Sequence, residues 1–230
     1  MTDVNPSEDL LAKARGPYST ILADPPWQFQ NRTGKVAPEH KRLLRYPTME
    51  LSEILDLPVA RLAAAQSHLY LWTPNALLEE GLRVMKAWGF TYKSNLVWFK
   101  MRKDGGPDGR GVGFYFRNVT ELILFGVRGS MRTLKPGRTQ VNWLSTRKRE
   151  HSRKPDEIYG IIESCSPGPY LELFARFARN GWDQWGNEDV EENLLIGVAK
   201  RKAHVDAQLR MLEGPRGYRV ASAANSRRRR

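Results

Sequence analysis

The tetrapeptide Asp24-Pro25-Pro26-Trp27 brings together groups that could hold a flat ring bearing an amine. It follows the apolar run Tyr18–Ala23, which reads as a short buried strand ended by the prolines. In an α/β fold the carboxyl end of a strand is where ligands usually sit. Two successive prolines fix the backbone and remove two amide donors, leaving nearby carbonyls free to accept. Asp24 adds a carboxylate and Trp27 a broad aromatic face. The carboxylate and the Pro25 carbonyl can take the two hydrogens of an NH2 group while the indole stacks on the ring. Such an amine is a poor nucleophile because its lone pair is delocalised into the ring. Accepting from both N–H groups raises electron density on nitrogen as an electrophile arrives, a gain concentrated in the transition state. A proline turn after a strand, with Trp27 in the core, would give the same four letters.

The elements that must position this motif alternate between strand and helix patterns. Further strands are expected at residues 69–72, 96–99, 121–127, 141–144 and 170–174. Leu51, Ile54 and Leu55 suggest a short helical turn, followed after Pro58 by a second short segment to residue 65. Thr73 can cap a helix with Pro74 at its first position, an apolar face of Leu77, Leu78, Leu82 and Met85, and Gly89 past its end. Pro155, Asp156 and Glu157 open another through Ile158, Ile161 and Ile162. This alternation indicates an α/β fold with a central, mostly parallel sheet flanked by helices and antiparallel strands at its edges. The division expected is a polar N-terminal segment (1–17), one catalytic domain (18–188), an amphipathic helix (189–213) and a basic, disordered tail (214–230). Leu194, Val198, Val205, Leu209 and Leu212 carry the helix's apolar spacing.

With 230 residues the chain suits one core plus a tail, and its single cysteine, Cys165, excludes an internal disulfide framework. No apolar stretch approaches the roughly 20 residues that span a bilayer. The acids Asp3, Glu8 and Asp9 are unlike a secretion signal, so a soluble cytoplasmic protein is expected. A net charge of +12 favours a polyanionic partner. Much of it lies in residues 195–230, which hold ten Lys/Arg against two Asp/Glu. Charge alone indicates an anion nearby and does not indicate an enzyme.

Beyond the tetrapeptide, five blocks in order resemble the DPPW-type N6-adenine methyltransferases, the family that contains the catalytic subunit of the eukaryotic messenger-RNA adenosine methyltransferase and many bacterial and phage relatives. They are ILADPPWQF (21–29), RYPTM (45–49), LYLWTPN (69–75), HSRKPDEIYGIIE (151–163) and LELFARFARNGWDQWGNE (171–188). The resemblance implies a Rossmann-like fold with permuted motif order, S-adenosylmethionine as cofactor, and adenine N6 as the methylated amine. A target in a duplex must first be flipped out. Carried over by position, Asp24, Pro25, Pro26 and Trp27 would form the amine pocket, with Arg45 and Tyr46 near the substrate base. Lys154 would meet the methionine carboxylate. Glu172, Phe174 and Arg176 resemble the cofactor-strand block, and Asn187 and Glu188 the pair near the ribose. The aspartate strand that holds the adenosyl base in the eukaryotic enzyme has no assignable counterpart upstream of Asp24; the Leu22 and Ala23 backbone could take its place. The histidine after the cofactor-strand arginine is also unmatched, since Phe177, Ala178 and Arg179 stand there.

Two further stretches bear on the substrate. Residues 128–154 hold nine Lys/Arg, including Arg147 and Lys148, against one acid, Glu150, and could track phosphates or form a solvated loop. Residues 100–113, with Lys100 and Arg102, could close over the target base or simply connect two strands. His151 could orient a cofactor carboxylate or cap the following helix. Trp143, Trp182 and Trp185 read as core residues before stacking platforms, and no histidine spacing suggests a metal. DNA is the expected polymer, because no zinc finger or RNA-binding module is recognisable. RNA is the nearest rival, and an inactive nucleic-acid-binding scaffold is a rival of another class. A homodimer or an accessory subunit is left open.

Overall fold

A computed structural model describes residues 5–28, 48–108, 115–147 and 153–186. Arg45, Tyr46, Lys148, His151, Asn187, Glu188, the expected helix at 189–213 and the tail at 214–230 lie outside the described residues. A seven-stranded sheet forms the centre. Its strands are β1 (Tyr18–Ala23), β2 (Ala63–Thr73), β3 (Thr91–Met101), β4 (Thr120–Arg128), β5 (Trp143–Arg147), β6 (Tyr170–Leu173) and β7 (Trp182–Trp185), in the spatial order β5-β3-β4-β2-β1-β6-β7. The helices are α1 (Pro6–Lys13), α2 (Leu51–Leu55), α3 (Val59–Leu62), α4 (Leu78–Ala87) and α5 (Glu157–Cys165). This is a Rossmann-like α/β sheet. The pairs β1/β2, β1/β6, β6/β7 and β3/β5 are parallel. Strand β4 is antiparallel to both β2 and β3. The reversed strand is therefore internal, not at an edge as the sequence suggested.

Both faces of the sheet are covered, so the central strands read as continuous apolar runs. Successive side chains of β2 go to opposite sides. Leu69 and Leu71 join Ile21, Ala23, Leu124, Leu171 and Leu173 beneath Ile54, Leu62, Val84, Met85 and Trp88. Tyr70 and Trp72 join Leu22, Leu96, Trp98, Ile123 and Leu144 beneath Ile158 and Ile162 of α5. Residues 5–17 are part of this body. Asn5 caps α1 by accepting from the Ser7 amide, Leu10 is fully buried, and Asp9 accepts from the Trp185 indole at 2.8 Å.

Helix α4 departs from its expected face. Thr73 ends β2, and its hydroxyl donates to the Leu71 carbonyl instead of capping. A 3-10 turn, Asn75–Leu77, precedes the helix, and Gly81, Val84 and Met85 face the sheet while Leu78 and Leu82 are exposed. Gly81 sets this rotation. A Cβ there would lie 2.7 Å from both Thr73 Cγ2 and Oγ1 and 3.0 Å from Leu124 Cδ1.

Gly81→Ala decides between two opposed effects. Helix propensity favours alanine by about 1 kcal/mol. Forcing a methyl into a packed interface costs about 1–3 kcal/mol. Thr73 is fully buried and short, so it cannot swing aside, and the clash wins. The variant is expected to melt a few degrees below the parent in a thermal scan; a higher midpoint would refute the contact.

Candidate active site

The site lies where β1, β2 and β6 finish, at the end where the reversed β4 begins. A cavity of about 210 Å³ opens there, lined by Leu22, Asp24, Trp72, Tyr159, Glu172 and Phe174, with Arg153, Lys154, Asp156, Arg176 and Arg179 around it. Asp24 is the first residue past β1, and its amide reaches the Leu173 carbonyl of β6 at 3.4 Å. The Pro25 carbonyl accepts from the Trp27 amide at 2.8 Å, and the Pro26 carbonyl from the Met49 amide at 3.0 Å. Each carbonyl thus has one partner already. One lone pair of each remains for a ligand.

Trp27 is where the sequence reading needs correcting. Its indole is buried in the core, and its N–H donates to the Trp72 carbonyl of β2 at 2.9 Å. It fixes the turn rather than walling the cavity. The indole in the wall is that of Trp72.

The charged centre is built from three elements. Lys154, just before α5, places its ammonium 3.2 Å from Asp24 Oδ1 and 3.1 Å from Glu121 Oε2. That nitrogen also lies 4.7 Å from the Trp72 ring centroid. Glu121 accepts from the Trp72 indole N–H and pairs with Lys100. Burial opposes ionisation of Glu121, yet Lys154 and Lys100 hold its carboxyl down at about 2. Burial pushes the Asp24 carboxyl up, with Lys154 and Arg176 pulling against it and Glu121 adding to the rise. For Lys154, burial disfavours the charge, but Asp24 and Glu121 outweigh it and the net shift is upward.

A second carboxyl, Glu172, stands on β6 with both oxygens engaged. Tyr159 donates to one at 2.9 Å and Gln184 of β7 to the other at 3.3 Å. Burial still pushes it up to about 7. Phe174 leaves β6 with φ 64°, a left-handed conformation, and meets Trp185 edge-on at 5.2 Å. Leu22 faces the cavity, whereas the Ala23 side chain is buried in the core beneath α2 and α4.

The expected substrate residues are less closely gathered. Lys100 is committed to Glu121 and lies 5.0 Å from the Trp98 ring, not projected towards a phosphate. Arg102 pairs with Asp104 at 2.7 Å in an exposed turn. Arg147 ends β5 and donates to the Lys103 carbonyl at 3.2 Å. Trp182 and Trp185 are core residues as expected, but Trp143 is 49% exposed and stacks on Phe99. Sequence reasoning missed Glu121, Trp72, Tyr159, Gln184 and Arg153. For Glu121 there was one signal, an acid opening the otherwise apolar run 121–127.

These residues suit S-adenosylmethionine. The wall offers apolar and aromatic surface at Leu22, Ile158, Phe174 and Phe177, and carboxylates for hydroxyl or ammonium groups. Arg153 adds a cationic group beside them. Among the described residues no cluster of His, Cys, Asp or Glu could hold a metal, and no helix is long and apolar enough to cross a membrane.

Comparison with known proteins agrees with the site. The MT-A70 family model matches residues 18–188. The chain is 30% identical over 212 residues to the type II methyltransferase M.MunI of a Mycoplasma species, covering 85% of this chain and 88% of that one. It is 31% identical over 179 residues to a putative N(6)-adenosine-methyltransferase MT-A70-like protein of Medicago truncatula, and 28% identical over 179 residues to the human N(6)-adenosine-methyltransferase catalytic subunit METTL3. Those matches cover 75% of this chain but only 26% and 28% of the relatives. With Asp24–Trp27 following β1 and Glu172 on β6 within the matched region, the chain belongs to the MT-A70 family of S-adenosylmethionine-dependent N6-adenine methyltransferases.

Proposed function

We propose that the protein methylates the exocyclic N6 amine of adenine in DNA, with Asp24 as the group that receives the amine. The observation that carries this reading is a carboxylate at the end of β1, directly against the cavity, beside a proline carbonyl with a spare lone pair. The cofactor supplies an electrophilic methyl group on a sulfonium. Asp24 Oδ and the Pro25 carbonyl accept the two N6 hydrogens and orient the nitrogen lone pair. The amine must lose one proton for each methyl it gains. A carboxyl whose proton affinity is raised by burial is suited to take that proton. Lys154 favours the ionised form of Asp24 against burial, and Glu121 holds Lys154 in place from the far side.

DNA is favoured over RNA because the relative matched almost end to end is a type II methyltransferase. The relatives named for adenosine match over about a quarter of their length. The RNA reading keeps the support of those relatives, and the chemistry at N6 is common to both polymers. The net charge of +12 suits either. An inactive scaffold is disfavoured by the intact Asp24, Lys154 and cavity. The polymer is identified by transferring labelled methyl groups to matched duplex DNA, single-stranded DNA and RNA, then analysing the nucleosides. N6-methyladenine in DNA is expected; product confined to RNA would replace the substrate assignment.

Asp24→Ala removes an acceptor that acts at the reacting amine. Methyl transfer should fall about 100-fold or more while cofactor binding is largely retained. Near-normal turnover would remove Asp24 from the mechanism.

Glu121→Gln separates positioning from packing, since glutamine keeps the shape and can still accept from Trp72. Lys154 would then pair with Asp24 alone. Asp24 must be ionised to accept from the amine, and both losing the Glu121 charge and tightening Lys154 lower its proton affinity. The acid limb of the pH–rate profile should therefore move to lower pH, with kcat reduced by about tenfold. A rate loss with an unmoved limb would mean that Glu121 acts through packing only.

A further inference from the structure

The sequence points Lys100 at a phosphate, but the fold turns it inward. Lys100 shares its face of β3 with Leu96 and Trp98, the face packed beneath α5. Trp98 stands opposite Glu121 of the antiparallel β4, which makes Lys100 the diagonal neighbour of that carboxylate. The lysine backbone is pinned on both sides. Its amide donates to the Val119 carbonyl at 2.9 Å, and its carbonyl accepts from the Asp108 amide at 2.8 Å. The side chain is 16% exposed, with its ammonium on Glu121 Oε1 and 5.0 Å from the Trp98 ring centroid.

Glu121 is therefore gripped by two matching units. Lys154 meets Oε2 while lying 4.7 Å from the Trp72 centroid, and Lys100 meets Oε1 while lying over Trp98. The two indoles meet edge to face at 5.6 Å. Their N–H groups are spent on Glu121 and, at 2.8 Å, on Thr146 Oγ1. With Asp24 on the other side of Lys154, the charges alternate along a row: Asp24, Lys154, Glu121, Lys100. Arg176 and Glu172 are the other charged groups that act on Asp24. In such a row the outermost charge is felt at the far end. Without Lys100, Glu121 would draw Lys154 towards itself and loosen its hold on Asp24. The uncompensated Glu121 charge would also add to that of Glu172 against an ionised Asp24.

We propose that Lys100 is a positioning residue of this site: by neutralising Glu121 it keeps Lys154 shared with Asp24, and it does so without touching nucleic acid. This rests on the reading of Asp24 as the group that receives the amine.

The first test uses the ligand-free, full-length protein, so that it does not depend on catalysis. Carboxyl-labelled aspartate, observed by carbon NMR and assigned with Asp24→Asn, follows the titration of Asp24. Lys100→Met should move that titration to higher pH by about one unit, and Lys100→Arg should restore it. In a Glu121→Gln background the effect of Lys100→Met should shrink to about half or less, because the lysine acts through Glu121. Lys100→Gln, which can still donate to Glu121, should move the titration the same way and serves if the methionine variant does not fold. A titration unmoved in both neutral variants overturns the proposal, as does a shift undiminished by Glu121→Gln. In methyl-transfer assays on DNA, the acid limb of the pH–rate profile should move with the Asp24 titration. The KM for DNA and its dependence on salt should stay as in the parent. A KM raised severalfold with a shallower salt dependence overturns the proposal, because Lys100 would then hold a phosphate. If the parent transfers no methyl group while Asp24 responds as expected, the link from Lys100 to Asp24 is upheld and the function proposed above is what fails.

Discussion

An ammonium that leaves bulk water needs anionic partners, and Lys154 finds two that come from opposite directions in the chain. Asp24 stands past the end of β1, while Glu121 is the second residue of β4. These positions coincide because β4 is reversed. Its beginning lies beside the end of β2, with Leu122 paired to Thr73. Were β4 parallel like its other neighbours, residue 121 would sit at the far end of the sheet, some 20 Å away at about 3.3 Å per residue. The one antiparallel strand is thus what brings a second carboxylate to the site. Ion pairs of this kind are poor sources of net stability, since desolvation offsets most of the attraction. Their effect here is geometric, tying the ends of β1, β4 and the lead into α5 to one point.

The same end of the sheet holds carboxyls of very different proton affinity. Glu121 faces two lysines and stays at about 2, whereas Glu172, buried with only Tyr159 and Gln184 as donors, rises to about 7. Asp24 lies between these situations, with one lysine shared and burial against it. Environment alone separates the three. Glu121 is a fixed negative charge, Glu172 can hold or release a proton near neutrality, and Asp24 is a carboxyl whose basicity burial has raised against the pull of Lys154.

Much of the frame was legible because it follows from local pattern. The strand Tyr18–Ala23 is apolar throughout and stopped by prolines, and its bounds are met in the structure. The proline and acids ahead of Ile158 mark α5 as expected. What local pattern could not supply is relative orientation. The reversal of β4 depends on which neighbour its edge joins, and an apolar run such as 121–127 is silent about that. Strand β7 was missed because Trp182-Asp183-Gln184-Trp185 is too short to show a period; it exists by pairing with β6. The face of α4 was misread for a similar reason. Leu78 and Leu82 look like core residues by type, but Gly81 permits a close approach to Thr73 that no hydropathy pattern reveals. Trp27 was read as a platform from its chemistry, and its buried indole hydrogen bond to Trp72 can be known only from the fold.

The exit of β6 shows how rigid the cavity wall is. Phe174 adopts φ 64°, which for a bulky residue costs on the order of 1–3 kcal/mol. Such a conformation persists only when its surroundings over-determine it. Here the next amide, Ala175, donates to the Trp185 carbonyl at 2.9 Å, and the Phe174 ring is seated against Trp185. Gly186 completes the constraint, because a Cβ there would lie 2.1 Å from the Ala175 carbonyl oxygen. The two strands therefore lock each other as they end, and the short β7 is needed for that lock although it contributes no charge to the site. The turn that follows carries Arg176 and Phe177, and Phe177 in turn carries the guanidinium of Arg153. Backbone strain at one residue is in this way exchanged for a wall whose aromatic and cationic groups are placed before any ligand arrives, which reduces the ordering that binding would otherwise require.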